Sequence, residues 1–172
     1  MSRIFGIAGW KNTGKTSLIV RLIDELCKRG LRVSTLKHAH HNFEPDMPGK
    51  DSFLHRQAGA SEVLVSSGQR WSLISEVSEG EEARFPELLS KLSPSDVVLV
   101  EGFKTLGHPK IQALRGNDPT QLEGFSAVCA YASDDLEWAK TLPGEPTVLA
   151  THDTAKIADF ILAKAVESDT LL

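Results

Sequence analysis

The stretch Gly9-Trp10-Lys11-Asn12-Thr13-Gly14-Lys15-Thr16 decides the fold, because it matches the phosphate-loop pattern G-x-x-x-x-G-K-[ST]. The apolar run RIFGIA, residues 3–8, comes just before it and predicts a buried strand. The run SLIVRLIDELCKR, residues 17–29, follows it with apolar residues at helical spacing. Strand, loop and helix in this order are the arrangement in which such a loop holds phosphate groups.

Each residue type in the loop has a physical part in this prediction. Glycines let the backbone approach phosphate oxygens closely, and the amides at a helix start carry partial positive charge. Lys15 is expected to reach the β- and γ-phosphates as a catalytic cation, and the Thr16 hydroxyl is expected to ligate Mg²⁺. The predicted phosphate-binding residues are Gly9, Trp10, Lys11, Asn12, Thr13, Gly14, Lys15, Thr16 and Ser17.

The predicted site also includes an acidic residue that follows a strand near residue 100. The run DVVLV, residues 96–100, predicts a central buried strand because it is apolar and β-branched. Glu101 follows at its carboxyl end, where open α/β sheets bind ligands, and is expected to be a catalytic residue that ligates Mg²⁺, directly or through water. Gly102 is expected to leave an amide free near the γ-phosphate. Asp96 begins the same strand, about 16 Å away, and is interpreted as a strand-start residue.

The second predicted strand, LRVSTLK, ends at Lys37 and is followed by a polar loop with three histidines, His38, His40 and His41. Three interpretations stay open for this loop. It could be a transition-metal site, although the spacing matches no helical histidine pair and no cysteine is near. It could be a solvated loop. The preferred interpretation is a loop facing the nucleotide or the substrate, with Lys37 meeting phosphate and Asp51 meeting Mg²⁺ through water.

The remaining segments complete an α/β prediction, with a mostly parallel sheet flanked by helices and an antiparallel hairpin beside it. No repeat or linker is visible, so residues 1–172 are interpreted as a single nucleotide-binding domain. The predicted elements are a short helix that Asp51 caps and that runs through Gln57, a hairpin of Glu62–Ser66 and Arg70–Val77, a helix over Glu81–Leu92, strands at Ile111–Leu114, Ser126–Tyr131 and Thr147–Ala150, a closing helix over Asp153–Val166, and a frayed end at Glu167–Leu172.

Base selectivity is not evident in the sequence, because the guanine-reading pattern N-K-x-D is absent. Asp153 follows a predicted strand and could accept hydrogen bonds from guanine. It could equally cap the last helix, which is the more common role for such a residue.

Overall charge and hydropathy exclude some classes of protein. The chain has 172 residues and a formal net charge of −4, whereas a bare electrostatic nucleic-acid binder is normally basic. The apolar start MSRIFGIAGW is too short for a signal peptide or a membrane span. We therefore expect no nucleic-acid partner, no membrane association and a cytoplasmic location.

The chain resembles the molybdopterin-guanine dinucleotide biosynthesis protein B family (MobB). The resemblance covers most of the sequence and rests on GWKNTGKT, LKHAHHNFEPDMPGKDSFLHRQAGA, SGQRW and VLVEGFK. It implies a P-loop NTPase fold of the class that includes signal-recognition GTPases. It also implies GTP binding with slow hydrolysis, a homodimer, and cooperation with the nucleotidyltransferase MobA, which attaches GMP to molybdopterin.

This sequence departs from the broader class at one position of the loop. Relatives in that class often carry a lysine directly after the first glycine, and it reaches across a dimer. Trp10 occupies that position here, and Lys11 comes one residue later. An inter-subunit catalytic role is therefore not assigned to Lys11.

The leading hypothesis is thus a GTP-binding accessory protein of molybdenum cofactor biosynthesis with weak GTPase activity. Two alternatives stay open: a small-molecule kinase, with Thr105–Gln121 as a mobile lid carrying Lys110 and Arg115, and a metallochaperone NTPase using the histidine loop. Slow hydrolysis is expected because no Gln or Arg falls at a recognisable position beside the phosphate loop or Glu101. Only Lys104 is near, and the sequence leaves its direction open.

Overall fold

The computed structural model of the chain describes residues 2–39, 43–78 and 81–171. The chain divides into two compact units. The first contains Met1–His38 and Leu88–Leu172, and the second contains Ala39–Glu87. The interpretation of residues 1–172 as a single domain stays a prediction.

A seven-stranded sheet, counted over the described residues, forms the first unit. Its strands are β1 (Arg3–Ala8), β2 (Val33–Lys37), β5 (Val97–Glu101), β6 (Lys110–Ala113), β7 (Val128–Ser133), β8 (Val148–Ala150) and β9 (Val166–Glu167). Six strands run parallel in the order β2-β5-β1-β6-β7-β8, and β9 pairs antiparallel with β1. The prediction of a mostly parallel sheet is confirmed.

The helices connect and flank the strands. They are α1 (Lys15–Lys28), α2 (Asp51–Gln57), α3 (Phe85–Ser90), α4 (Leu136–Lys140) and α5 (Thr154–Lys164), with 3₁₀ turns at Pro119–Leu122 and Ser168–Leu171. None of the described helices is both long and apolar enough to cross a bilayer. Helix α4 was not predicted, because its five residues, LEWAK, are too few to show a helical period.

The core of the first unit lies where α1 and α5 cover one face of the sheet. Leu18, Leu22 and Leu26 of α1 are buried there, as their spacing predicts. They pack in one cluster with Phe5 of β1 and Ile157 of α5. Burial of this apolar face fixes the direction of α1, and therefore also the position of the loop that precedes it.

Strand β5 is the central strand that its sequence predicts. Residues 97–100 are buried, and hydrogen-bonded strands lie on both sides, β1 on one and β2 on the other. Asp96 precedes the strand and accepts a hydrogen bond from the Arg32 amide at 2.7 Å. Its interpretation as a strand-start residue is confirmed.

The second unit contains α2 and the hairpin formed by β3 (Glu62–Ser66) and β4 (Trp71–Ser75). The two strands pair antiparallel, so the predicted hairpin is confirmed. Arg56 of α2 donates to the Glu76 carboxylate at 2.6 Å and also to that of Glu44. The predicted capping role of Asp51 is wrong, because Lys50 is the capping residue and Asp51 lies in the first turn.

The bounds predicted for one helix and for the frayed end of the chain are also wrong. The helix predicted over Glu81–Leu92 covers Phe85–Ser90 only, with Pro86 in its first turn, where the fixed φ of proline is compatible with a helix start. The frayed end predicted at Glu167–Leu172 is instead partly ordered. Val166 and Glu167 pair with β1, and the Ser168 amide donates to the Ser2 carbonyl at 2.9 Å.

A polar cluster is buried beside β6. His108 and Lys110 are fully buried, and the Lys110 ammonium donates to the carbonyls of Leu106 at 2.5 Å and Ser126 at 2.7 Å. Burial lowers the pKa of Lys110 to about 8. Burial, together with the positive charge of Lys110, lowers the pKa of His108 to about 4.

The burial of His108 predicts an acid-sensitive component of stability. Its pKa of about 4 in the folded protein lies below the ordinary 6.5, so the unfolded chain binds more protons between these values. Stability should therefore fall as pH drops from 6.5 towards 4, by at most about 3 kcal/mol from this residue. Urea unfolding of the wild type and His108→Asn at pH 7.5 and pH 5 measures the difference. Equal pH dependence in the two proteins would contradict this assignment.

Candidate functional site

Parallel pairing places the predicted site residues at one edge of the sheet. Ile7 of β1 lies opposite Glu101 of β5, and Glu101 lies opposite Lys37 of β2. The carboxyl ends of these three strands are therefore level. The phosphate loop leaves β1 at the same edge, so three elements that are far apart in the sequence meet there.

The loop itself is a closed turn held by internal contacts. Gly9 has φ 147°, and a Cβ there would lie 2.7 Å from the Ala113 carbonyl oxygen and 2.7 Å from Thr13 Oγ1. Only glycine therefore allows the loop to pass so close to the end of β6. The Thr13 hydroxyl donates to the Trp10 carbonyl at 2.9 Å across the loop.

The amino end of α1 is open to an anion. Gly14 precedes the helix with φ 83°, and no side chain of the described residues caps the first turn. Thr16 is exposed in that turn, and the Ser17 hydroxyl accepts a hydrogen bond from Arg21 at 2.9 Å. The phosphate groups of a nucleotide fit this end of the helix. They can bind the uncapped amides, the exposed Thr16 hydroxyl and the glycine loop.

Lys15 points across the loop. Its half-buried side chain donates from Nζ to the Trp10 carbonyl at 2.5 Å. Burial lowers the pKa of Lys15, the carboxylate of Glu101 opposes this effect, and the charges of Lys37 and Lys104 add to it. Three of these four interacting side chains are cationic and one is acidic. Their net positive charge favours binding of a polyanion.

Glu101 and Lys37 form an ion pair in this group. Lys37 Nζ lies 3.4 Å from Glu101 Oε2, and the Glu101 side chain is 15% exposed. The ion pair lies next to the phosphate loop, and a carboxylate oxygen is a ligand that Mg²⁺ prefers. The structure therefore brings Lys15, Lys37 and Glu101 together, as the sequence predicts for a nucleotide site.

Other predicted residues have different surroundings. The Gly102 amide is not free, because it is directed at the Ile7 carbonyl at 3.5 Å, the long end of hydrogen-bond distances. The Asp153 carboxylate accepts from the Lys156 amide at 3.2 Å and caps α5, which confirms the capping interpretation. Asp51 belongs to the second unit, where it is exposed in the first turn of α2.

The histidine loop is described in part. The His38 ring packs against Phe103, with ring centroids 4.8 Å apart. His40 and His41 lie outside the described residues. Among residues 2–39, 43–78 and 81–171, no three His, Cys, Asp or Glu side chains come close enough to hold a metal ion.

The prediction of a mobile lid over Thr105–Gln121, made for the kinase alternative, is wrong because the centre of this segment is a strand. Lys110–Ala113 form β6 in the interior of the sheet, and all four residues are buried. The ammonium of Lys110 is bound to backbone carbonyls, so it is not available to a transferred phosphate. Lys110 therefore gives no support to the kinase alternative.

The family model for molybdopterin guanine dinucleotide synthesis protein B matches residues 4–134. The chain belongs to this family. A molybdopterin-guanine dinucleotide biosynthesis adapter protein of Escherichia coli is 39% identical over 167 residues, 94% of this chain and 93% of that protein. One from Haemophilus influenzae is 40% identical, covering 92% of this chain and 86% of that protein.

A solved MobB structure shares the fold. The crystal structure of Bacillus subtilis MobB matches with a TM-score of 0.74 and 28% identity, covering 95% of this chain and 98% of that one. The predicted fold class, a P-loop NTPase fold with a mostly parallel sheet and an antiparallel hairpin, is confirmed by this match and by the strand order.

Two residues that the sequence placed only in the lid of the kinase alternative, Arg115 and Gln121, contact the phosphate loop. Arg115 donates from its guanidinium to the Asn12 carbonyl at 3.2 Å. Gln121 is buried, its carbonyl accepts from the Trp10 indole at 3.0 Å, and its side chain bonds to the Arg115 backbone. The expectation of no Arg beside the loop is therefore wrong. The one available signal was that Arg115 follows a strand whose carboxyl end faces the site.

A cavity of about 580 Å³ opens beside the loop. Residues 10–13 form one side of it, and Arg115, Asp118, Thr120 and Gln121 form the other. Cationic, acidic, amide, hydroxyl and aromatic side chains line the cavity. Such a cavity has the size and the mixed lining of a site for a small molecule.

Proposed function

We propose that this protein binds GTP with Mg²⁺ and acts as an adapter in molybdopterin-guanine dinucleotide biosynthesis. Its partners in this proposal are molybdopterin and a MobA-like guanylyltransferase that joins GMP to it. The observation that carries the nucleotide part is the meeting of Lys15, Glu101 and the closed phosphate loop at one level of the sheet. The pathway part rests on the adapter proteins that are 39% and 40% identical to the chain.

Each residue has a proposed task toward the nucleotide. Lys15 exchanges its bond with the Trp10 carbonyl for the β- and γ-phosphates, and the loop amides orient these groups. Thr16 and Glu101 hold Mg²⁺, which neutralises phosphate charge when it is bound. Lys37 pairs with Glu101 and adds a positive charge at the phosphate end of the site.

Slow GTP hydrolysis follows from the same arrangement. The guanidinium of Arg115 donates to the Asn12 carbonyl of the loop and is therefore not directed at a γ-phosphate. Fast phosphoryl transfer needs a cation and a positioned water on the developing charge. We therefore propose turnover well below the enzyme median of about 10 s⁻¹, with the guanylyltransferase as the enzyme of the pair.

An exposed apolar face of the β3–β4 hairpin, in the second unit, supports the proposal of a homodimer. Leu64, Trp71 and Leu73 lie on one face of the hairpin, and their exposed fractions are 62%, 63% and 39%. Large apolar side chains grouped in this way are typical of a surface that is covered by another protein. We propose a second copy of this chain as the cover.

Lys15→Ala should reduce GTP affinity at least a hundredfold, because it removes the half-buried ammonium group that is proposed to bind both the β- and the γ-phosphate. It should equally remove the effect of the protein on formation of the guanine dinucleotide by purified guanylyltransferase. Calorimetry with GTP and a product assay measure the two effects. Lys91→Ala, at an exposed lysine away from the loop, is the matched control. Unchanged GTP affinity in the Lys15 variant would rule out the phosphate-loop assignment.

Thr16→Ala and Glu101→Gln should weaken GTP binding about tenfold with Mg²⁺ present and little in EDTA, since both residues act through the ion. The measurement is calorimetric titration of each variant under the two conditions. A loss of equal size in EDTA would show that these side chains do not act through the metal.

Leu64→Lys should shift the protein from dimer to monomer, because a charge would be buried at the centre of the proposed interface. Light scattering after size-exclusion chromatography measures the mass. Val20→Lys, at a position that is 60% exposed on α1, is the matched apolar-to-charged control. A monomeric wild type, or a variant that stays dimeric, would contradict this interface.

A further inference from the structure

Lys104 is a cation beside the phosphate loop to which the proposed function gives no task. Its Nζ lies over the Trp10 ring, 4.0 Å from the centroid, and 5.8 Å from the centroid of the Phe125 ring. Trp10 belongs to the phosphate loop itself. The ammonium groups of Lys15 and Lys104 therefore contact the same residue, one at its carbonyl and the other at its ring.

The backbone that carries Lys104 is fixed in place. Gly102 has φ 95° and Phe103 has φ 44°, so the chain reverses directly after Glu101. A left-handed phenylalanine is uncommon and costs free energy, which indicates a constraint on the position of the next residue. The Lys104 carbonyl accepts from the Ser126 amide at 2.8 Å and anchors the turn.

The ring beneath Lys104 is fixed as well. The Trp10 indole N–H donates to the Gln121 carbonyl at 3.0 Å, and the ring meets Phe125 edge to face at 5.9 Å. The indole nevertheless remains 40% exposed. A cation on such a ring is held more weakly than one bound to a phosphate oxygen, so an anion in the loop can attract it away.

The charged side chains at this site carry a net positive charge. Lys15, Lys37 and Lys104 contribute three positive charges, and Glu101 contributes one negative charge. Lys37 is paired with Glu101, and Lys15 is bound to a carbonyl. Lys104 is thus the cation of this group that rests on an aromatic face.

We propose that Lys104 is the γ-phosphate sensor of this site. It rests on Trp10 while the γ-phosphate is absent and leaves the ring to bind that phosphate when a nucleoside triphosphate enters the loop. The proposal rests on the proposed function and gives the site a preference for the triphosphate over the diphosphate. No bond is made or broken in this step; a cation changes its partner.

The test compares GTP with GDP in the full chain. Lys104→Met keeps the length and apolar bulk of the side chain and removes its charge. We expect GTP affinity to fall about tenfold or more, as for loss of one charge-assisted hydrogen bond, while GDP affinity changes less than about threefold. Lys91→Met is the matched control and should change neither affinity. Lys104→Arg should retain the preference for GTP.

Equal losses for GTP and GDP, or no loss for either, would overturn the proposal. Lys15→Ala, measured in the same experiment, separates this failure from failure of the proposed function. If Lys15→Ala loses GTP binding while Lys104→Met keeps the wild-type ratio of the two affinities, only the assignment of Lys104 is wrong.

A spectroscopic measurement reports the movement itself. The chain has three tryptophans, so Trp71→Phe and Trp138→Phe together leave Trp10 as the only one. GTP should change Trp10 emission beyond the change that GDP causes, because the cation leaves the ring only for the triphosphate. Adding Lys104→Met should remove this difference. Identical emission with GTP and GDP in the two-Phe protein would contradict the movement.

Discussion

Parallel hydrogen bonding holds Ile7, Glu101 and Lys37 at one level across three neighbouring strands. The phosphate loop, the acidic residue and its lysine partner are positioned by this register and by no direct chain connection. A slip of one residue in β5 would turn Glu101 to the other face of the sheet. The buried apolar residues on both sides of β5 make such a slip costly, so the core of the sheet maintains the geometry of the site.

Trp10 links the phosphate loop to the rest of this edge of the sheet. Its carbonyl binds Lys15 and Thr13, its indole N–H binds Gln121, and its ring contacts Phe125 and Lys104. A small residue at this position would remove the indole hydrogen bond and both ring contacts. The tryptophan therefore orders the loop before a ligand arrives, which reduces the entropy that binding must overcome.

Much of this arrangement could be predicted from the sequence, and the exceptions have physical causes. The phosphate loop, α1 and β5 were predictable because local spacing and hydrophobicity determine them. The contact of Arg115 with the loop was not, since the two residues that meet are 103 positions apart in the sequence. Lys110 was misread because a lysine normally indicates solvent, whereas here backbone carbonyls satisfy its buried ammonium. Base selectivity had no sequence signal, and Asp153 proved to be a helix cap.

The pairing of β9 with β1 has a practical consequence for handling the protein. Residues 166 and 167 bind the amino end of β1, whereas the phosphate loop leaves its carboxyl end. The length of the strand, about 20 Å, separates the two. A fluorophore or surface tether attached at Ser168 therefore lies near the amino end of β1, at the opposite end of the strand from Lys15. Oriented immobilisation through that position leaves the nucleotide face exposed to solution, as surface-based binding measurements require.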